Sequence, residues 1–273
     1  MSRGDHADIT EVPFERLADL ARFCLPEQGN PEFPPDRVDR MFASRLEWLR
    51  RMWERGLRAW MAYAAAEVSV GFIECLPIEA APRGVKGNEL TFVTCLWVKP
   101  ASARGCGVAS ALLNAAEEDA RLRSRGMAAV AYERSQHKPA EFFYRHGYSP
   151  VSSRRGRVIV FKAFSGEARP PAWLEAKPGL GLAEGQDAGR PRVALFWSGQ
   201  CPYFFSGAED LRGWAAAAGR AVDYREIRTD DRAVAELYGV TGGIFVNGVQ
   251  VDDGPPSRDD LWRLLDRATG LRR

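Results

Sequence analysis

No run of apolar residues in this 273-residue chain approaches the roughly 20 that a membrane-spanning helix needs. The opening stretch, MSRGDHADITEVPFERL, carries acidic residues and lacks the apolar centre of a secretory signal. Lys and Arg never gather into a long block: 38 basic residues against 36 acidic ones leave a formal charge of +2, with signs alternating along the chain. That balance gives no electrostatic footprint for nucleic acid. Cysteine is scarce and scattered (Cys24, Cys75, Cys95, Cys106, Cys201), an odd number without metal-ligand spacing, so neither a disulfide framework nor a metal site is expected. No internal repeat or low-complexity tract is visible, and neither GxGxxG nor GxxxxGK[ST] occurs at a strand-to-helix junction. The expectation is a soluble, cytoplasmic protein without a membrane, nucleic-acid or metal partner.

What the chain does contain is apolar material for two cores. It is 45% hydrophobic and 11% aromatic, at a length suited to two domains of roughly 100–200 residues each. The composition shifts at 165–191, SGEARPPAWLEAKPGLGLAEGQDAGRP, which has neither helical nor strand period. It reads as a linker docked at Trp173 and Leu174, between domains at 1–164 and 192–273.

Within the first domain, Phe14, Leu17, Leu20 and Ala21 have helical spacing and predict a helix over 13–24. Val38, Met41, Phe42, Leu46, Leu49, Met52 and Trp53 form one stripe of a long helix over 36–55, stopped by Gly56. Strand-like runs follow at 57–66, 68–76 and 90–98, the last being LTFVTCLWV. A helix through Leu112, Leu113 and Ala116 is expected to reach Arg125, with Gly126 as its cap. Then come a strand at 127–132, a short helix at 139–146 ended by Gly147, and strands at 149–153 and 157–164. Helices, three antiparallel strands and a βαβ unit make a mixed α/β plan.

The chemically informative junction is CLWVKPASARGCGVASALLNAAEE, where a strand passes through a short loop into a helix. Gly105 and Gly107 remove side chains, so that backbone amides can approach a ligand closely. Those amides open a helix, whose dipole and unpaired N–H groups favour an anion such as a pyrophosphate. Arg104 adds positive charge at the rim. Taken alone, the same residues also make an ordinary tight turn.

Arg104-Gly105-Cys106-Gly107-Val108-Ala109, followed by Ser110, resembles the Q/R-x-x-G-x-G/A motif of the GNAT acetyltransferases. Val98-Lys99-Pro100 resembles the approach to that motif, with one extra residue before Arg104. PAEFFYRHGY, 139–148, resembles the family's A-x-x-F-Y-x-x-x-G-F/Y segment, one residue short between Tyr144 and Gly147. The resemblance covers residues 8–164 and implies a mixed-sheet GNAT fold that moves acetyl from acetyl-CoA to the primary amine of a small molecule. It implies that backbone N–H groups of Leu96, Trp97 and Val98 hold the pantetheine arm and face the thioester. It also implies that the 104–110 loop holds the pyrophosphate and that a tyrosine protonates the leaving sulfur. Tyr144 is the one tyrosine within the motif's helix, although counting back from Gly147 puts the family's tyrosine on Phe143. His137 stands where relatives carry an asparagine on the cofactor arm. Glu89, at the start of the LTFVTCLWV strand, is the first candidate for general base, with Glu74, Glu133 and a water chain as alternatives. Cys95 and Cys106 are tempting nucleophiles, but direct transfer to the amine is the expectation. Trp48, Trp53, Trp60 and Trp97 are open to two readings, as the wall of a small acceptor pocket or as core.

From Arg192 the pattern restarts as βαβαββα: strands at 193–197, 221–227, 243–247 and 249–251 and helices at 206–218, 232–238 and 258–268, with an Asn247-Gly248 hairpin. Cys201-Pro202-Tyr203-Phe204 resembles the C-P-Y-C of glutaredoxins, with Phe204 in place of the second cysteine. Gly242 or Gly243 stands where that family carries proline, and Ser198 near its lysine. The resemblance implies a thioredoxin-like α/β domain following the first, in a layout similar to YoaP-type proteins. Two roles stay open for it, recognition and thiol-redox chemistry at Cys201, the second with the GNAT half as a CoA-binding sensor.

Overall fold

LTFVTCLWV alternates β-branched, aromatic and small residues along nine positions, a pattern that suits a central strand. In the computed structural model, which describes residues 7–64, 68–175, 190–252 and 258–270, it lies in the middle of a seven-stranded sheet. The elements in chain order are β1 (Asp8–Glu11), α1 (Leu17–Phe23), α2 (Pro35–Trp53), β2 (Arg58–Tyr63), β3 (Ser69–Pro77), β4 (Val85–Lys86) and β5 (Leu90–Val98). Next are α3 (Val108–Arg121), β6 (Gly126–Tyr132), α4 (Ala140–Arg145), β7 (Ser149–Arg154), β8 (Arg157–Ala163) and β9 (Ala172–Trp173). Then follow β10 (Arg192–Trp197), α5 (Pro202–Ala218), β11 (Asp223–Arg228), α6 (Arg232–Tyr238), β12 (Gly243–Val246), β13 (Val249–Asp252) and α7 (Arg258–Thr269).

The chain divides into two units. The first is Met1–Phe23, Leu49–Ala81 and Val85–Trp173; the second is Cys24–Trp48, Pro82–Gly84 and Leu174–Arg273. Residues 24–48 and 82–84, which the sequence assigns to the first domain, therefore group with the second. The physical reason is electrostatic and steric: Arg37 pairs with Asp210 at 2.5 Å, Arg40 pairs with Glu209 at 2.6 Å, and Gly199 packs closely enough on Trp48 that a Cβ would lie 3.3 Å from it. Of the expected linker, 176–189 lie outside the described residues, as do 65 and 66 at the end of an expected strand. Trp173 pairs with Val85 between β9 and β4, and Leu174 is buried, its N–H donating to the carbonyl of Gly84.

In the first unit the strand order is β1-β2-β3-β5-β6-β8-β7, antiparallel except for β5 beside β6. It is a mixed α/β fold on a mixed sheet. Val108, Leu112, Leu113, Ala116 and Ala120 form the buried stripe of α3 and pack on the same sheet core as Phe143 of α4. The helix stops at Arg121, four residues short of expectation. Gly126 is not its cap; it opens β6, where a Cβ would come within 2.8 Å of the Lys162 carbonyl oxygen.

The second unit carries a four-stranded sheet, β11-β10-β12-β13, with β10 and β11 parallel and the other pairs antiparallel. One core holds Leu211 and Trp214 of α5 with Leu261 and Leu265 of α7; another holds Ala194, Phe196 and Phe245. Helix α5 begins at Pro202, so Cys201 is its N-cap and much of the expected loop is helical.

Candidate active site

The site begins with one extra residue. Along β3 and β5 the register runs Phe72 with Trp97, Ile73 with Leu96 and Glu74 with Cys95, then jumps to Cys75 with Val93. Thr94 is left over as a β-bulge, and bulges bend a strand and increase its twist. The parallel ladder between β5 and β6 ends at the same level: Val93 opposite Ala129 is its last pair, while β5 continues to Val98 and β6 to Tyr132. Beyond that pair the strands part and form a fork.

Backbone alternation decides which groups face the fork. The Lys99 N–H donates to Val70 on the β3 side, so Trp97 points the same way and Val98 and Leu96 point into the fork. Of the three expected backbone donors, Leu96 and Val98 therefore line it and Trp97 does not. The side chain of Trp97 is used instead at the mouth. The Arg104 guanidinium lies 5.1 Å from its ring, and His137 packs 5.4 Å away and also 5.9 Å from Tyr132 of β6.

Arg104 is tied down. It donates to the carbonyls of Val98 (3.1 Å) and Lys99 (3.2 Å) and to Gln136 Oε1 (3.3 Å). The loop then turns through Gly105 (φ 76°) and Gly107 (φ 84°), left-handed conformations that favour glycine. No heavy atom lies within 4 Å of where a Cβ would sit at either position. Gly107 is the N-cap of α3 and offers no side-chain cap, which leaves the first N–H groups of Val108, Ala109 and Ser110 without an intrahelical acceptor. Cys106, half-buried, directs its Sγ toward the carbonyl of Ser102 at 3.5 Å.

At the closed end of the fork sits a buried polar cluster. Thr94 Oγ1 donates to Glu74, at 3.1 Å to its carbonyl and 2.9 Å to Oε1, and Glu74 has no exposed surface. Lys138, 5% exposed, donates from Nζ to the Thr94 carbonyl at 3.3 Å. The sequence does not single out Lys138, which reads there as a loop residue between His137 and Pro139. Glu74, one of the alternatives for the base, is the carboxylate that accepts from the bulge residue Thr94.

Glu89 lies elsewhere. It precedes β5 at the paired end, exposed, with φ 56°, and ion-pairs with Arg125 at 3.1 Å. It stands five positions before Thr94, roughly 16 Å along the strand, so it is a corner residue. Glu133 is exposed just past β6. In α4 Phe143 is fully buried and Tyr144 is 38% exposed, so Tyr144 carries the accessible hydroxyl of that pair. Trp48 and Trp60 are buried, and Trp60 belongs to the core of the first unit.

The end of α4 is fixed to the start of α3. His146 contacts the Phe142 carbonyl through Nδ1 (2.7 Å) and Ser110 Oγ through Nε2 (2.9 Å). Lys162 Nζ donates to Glu117 at 2.7 Å and to the His146 carbonyl at 2.9 Å. Beside them, burial and the Glu117 charge push the Tyr148 phenol well above the usual tyrosine range. His146 lies within PAEFFYRHGY at a position that the motif leaves open, so the sequence does not single it out.

In the second unit, Cys201 caps α5 and its thiol is pushed up by burial. The N–H groups of Tyr203 and Phe204 and the charges of Arg45 and Arg83 oppose that shift without cancelling it. Among the described residues no cluster of His, Cys, Asp and Glu could hold a metal, and no helix is long and apolar enough to cross a membrane.

Residues 14–148, just under half of the chain, match the model of the acetyltransferase (GNAT) family. Among solved structures the chain is similar to the PaiA N-acetyltransferase of Thermoplasma acidophilum in complex with coenzyme A, at 15% identity and TM-score 0.42, over 58% of this chain and 99% of that one. It is similar also to an aminoglycoside 6'-acetyltransferase type Ii, at 19% identity and TM-score 0.41, over 60% and 99%. The N-acetyltransferase PseH of Campylobacter jejuni follows at 16% identity and TM-score 0.41, over 57% and 99%. No curated protein matches the chain.

Proposed function

We propose that this chain, whose residues 14–148 match the acetyltransferase (GNAT) family, transfers acetyl from acetyl-CoA to the primary amine of a small molecule by direct attack. One observation carries this reading: the fork between β5 and β6 opens toward the same loop that leads into the uncapped N-terminus of α3. A long ligand with an anionic handle and a reactive end suits that arrangement. The residues present fit CoA. The two glycines leave open space where side chains would stand, and the α3 amides offer donors to a pyrophosphate.

Acetyl-CoA, when bound, supplies the activated acyl group. Gly105, Cys106, Gly107, Val108, Ala109 and Ser110 are the residues that would hold its phosphates, with Arg104 bracing the loop from β5. Leu96 and Val98 direct backbone donors into the fork; donors preorganised in this way are usually the largest catalytic contribution. His137 walls the mouth. Tyr144 is the proposed general acid for the departing sulfur, and Glu74 replaces Glu89 as the carboxylate to test as base. Calorimetric titration with acetyl-CoA, followed by mass spectrometry of a panel of small amines, tests the reading. Absence of acetyl-CoA binding rejects it.

The second unit is proposed as a thioredoxin-like recognition module. Its strand order and the position of Cys201 at the start of α5 support the likeness, while the raised thiol disfavours redox chemistry. We further propose that the protein is cytoplasmic.

A further inference from the structure

We infer that Lys138 sets the length of acyl chain that the fork admits, an inference that rests on the acyl-CoA reading above. The Tyr132 N–H donates to the Lys138 carbonyl at 3.0 Å, and Tyr132 forms a parallel bridge with Pro139. The next N–H, that of Glu133, points the opposite way to Gly156 at the β7–β8 turn. Alternation therefore puts the Lys138–Pro139 backbone on the β5-facing edge of β6, inside the fork.

From there the Lys138 side chain runs inward. Val93 is level with Ala129, so Thr94 is level with Val130, two residues below Tyr132. That descent is roughly 7 Å at strand rise, the reach of a lysine stem. The ammonium ends on the Thr94 carbonyl, the first past the last ladder pair. Lys138 is also a non-glycine residue at φ 45°, a strained conformation of the kind that surrounding structure must hold in place.

A buried ammonium is stable only while oxygen acceptors surround it. Here one acceptor is a bulge carbonyl whose own residue is bonded to the buried Glu74. An acyl chain entering from the mouth meets this ammonium before it meets the ladder. Acetyl can stop short of it. Longer chains bring methylenes, which cannot replace the carbonyl as acceptor, so their entry requires the ammonium to give up its position.

The experiment is calorimetry on the full chain with CoA, acetyl-CoA, propionyl-CoA and butyryl-CoA, which needs no acceptor amine. The native protein should prefer acetyl-CoA to butyryl-CoA by roughly tenfold or more, within the range that apolar pockets achieve per methylene. Lys138→Ala should abolish most of that preference while leaving CoA affinity unchanged. Lys138→Met, which keeps the stem and removes the charge, should also weaken it and decides the matter if the alanine variant fails to melt cooperatively. Equal native affinity for acetyl-CoA and butyryl-CoA overturns the inference, as does an unchanged preference in a folded variant. A fifth titration, with succinyl-CoA, overturns it as well if that ligand binds more tightly than acetyl-CoA, by making the ammonium a carboxylate receptor. Failure of CoA itself to bind rejects the acyl-CoA reading instead.

Discussion

Ser110 and His146 join the first turn of α3 to the end of α4 through a 2.9 Å hydrogen bond, and the direction of that bond is fixed by a third group. Nδ1 of His146 faces a carbonyl at 2.7 Å and must carry the proton, so in the neutral ring Nε2 accepts from the serine hydroxyl. Ser110→Ala and His146→Ala should each lower stability by about 1 kcal/mol, the net worth of a typical hydrogen bond. A double-mutant cycle in urea should show that the two losses do not add, with a coupling of about 0.5 kcal/mol or more. Strict additivity would show that the contact contributes nothing.

Gly107 and Gly213 are both glycines with open space around a would-be Cβ, yet they should respond in opposite directions. Gly107 caps α3 at φ 84°, where an alanine is strained by roughly 1–2 kcal/mol. Gly213 lies inside α5, where alanine is favoured by about 0.5–1 kcal/mol. Gly107→Ala should thus lower the melting temperature and weaken acetyl-CoA binding, whereas Gly213→Ala should raise the melting temperature. Unchanged acetyl-CoA affinity in Gly107→Ala would remove the α3 turn from the binding site.

The glycine turn was legible in the sequence because it is local: strand, loop and helix start lie within some twenty residues, and each has its own pattern. The fork was not legible. It depends on the register between β5 and β6, whose paired residues are 36 positions apart, as Leu90 opposite Gly126 shows. Lys138 belongs to the fork only because its backbone joins β6 and its side chain reaches β5, so no motif marks it. Gly126 misled for a related reason, since a glycine after a helix looks like a cap whether it ends the helix or makes room for a neighbouring strand. The short first strand, DITE, went unseen because its residues are largely exposed and carry no alternation.

Tyr144→Phe tests the proton donor. Loss of a general acid typically lowers the rate by about 10²–10⁴. The variant should bind acetyl-CoA as the native protein does and show a kcat reduced within that range. Because the side chain is 38% exposed and Phe143 fills the core position beside it, the fold should be unaffected. A native kcat would move the acid to another group.

Tyr148 predicts an alkaline limit on stability. Its phenol is buried, and with the Glu117 charge beside it the neutral form is favoured in the folded state. A folded-state value raised above that of the unfolded chain, about 10, leaves stability intact below that pH and erodes it above. Tyr224, raised by burial and Glu226, acts in the same direction. Tyr148→Phe should therefore shift the alkaline unfolding midpoint upward by circular dichroism while leaving thermal stability at pH 7 unchanged or slightly higher. An unchanged alkaline midpoint would assign the limit to Tyr224 or to another group.

Cys201 decides between the two roles open to the second unit. A cysteine at a helix N-terminus ordinarily gains thiolate character, and here two backbone N–H groups and two guanidinium charges act in that direction. Burial outweighs them and pushes the thiol up, so at neutral pH it stays protonated and weakly nucleophilic. On the proposed thioredoxin-like reading, Phe204 stands where a resolving cysteine would be, which removes the internal disulfide as a product. Mass-spectrometric labelling with iodoacetamide at pH 7 should modify Cys201 more slowly than an unstructured cysteine peptide, and raising the pH to 9 should narrow the gap only partly. Cys201→Ser should leave acetyl transfer unchanged. Rapid labelling at pH 7, together with loss of a thiol-dependent activity in Cys201→Ser, would replace the recognition role with a redox one.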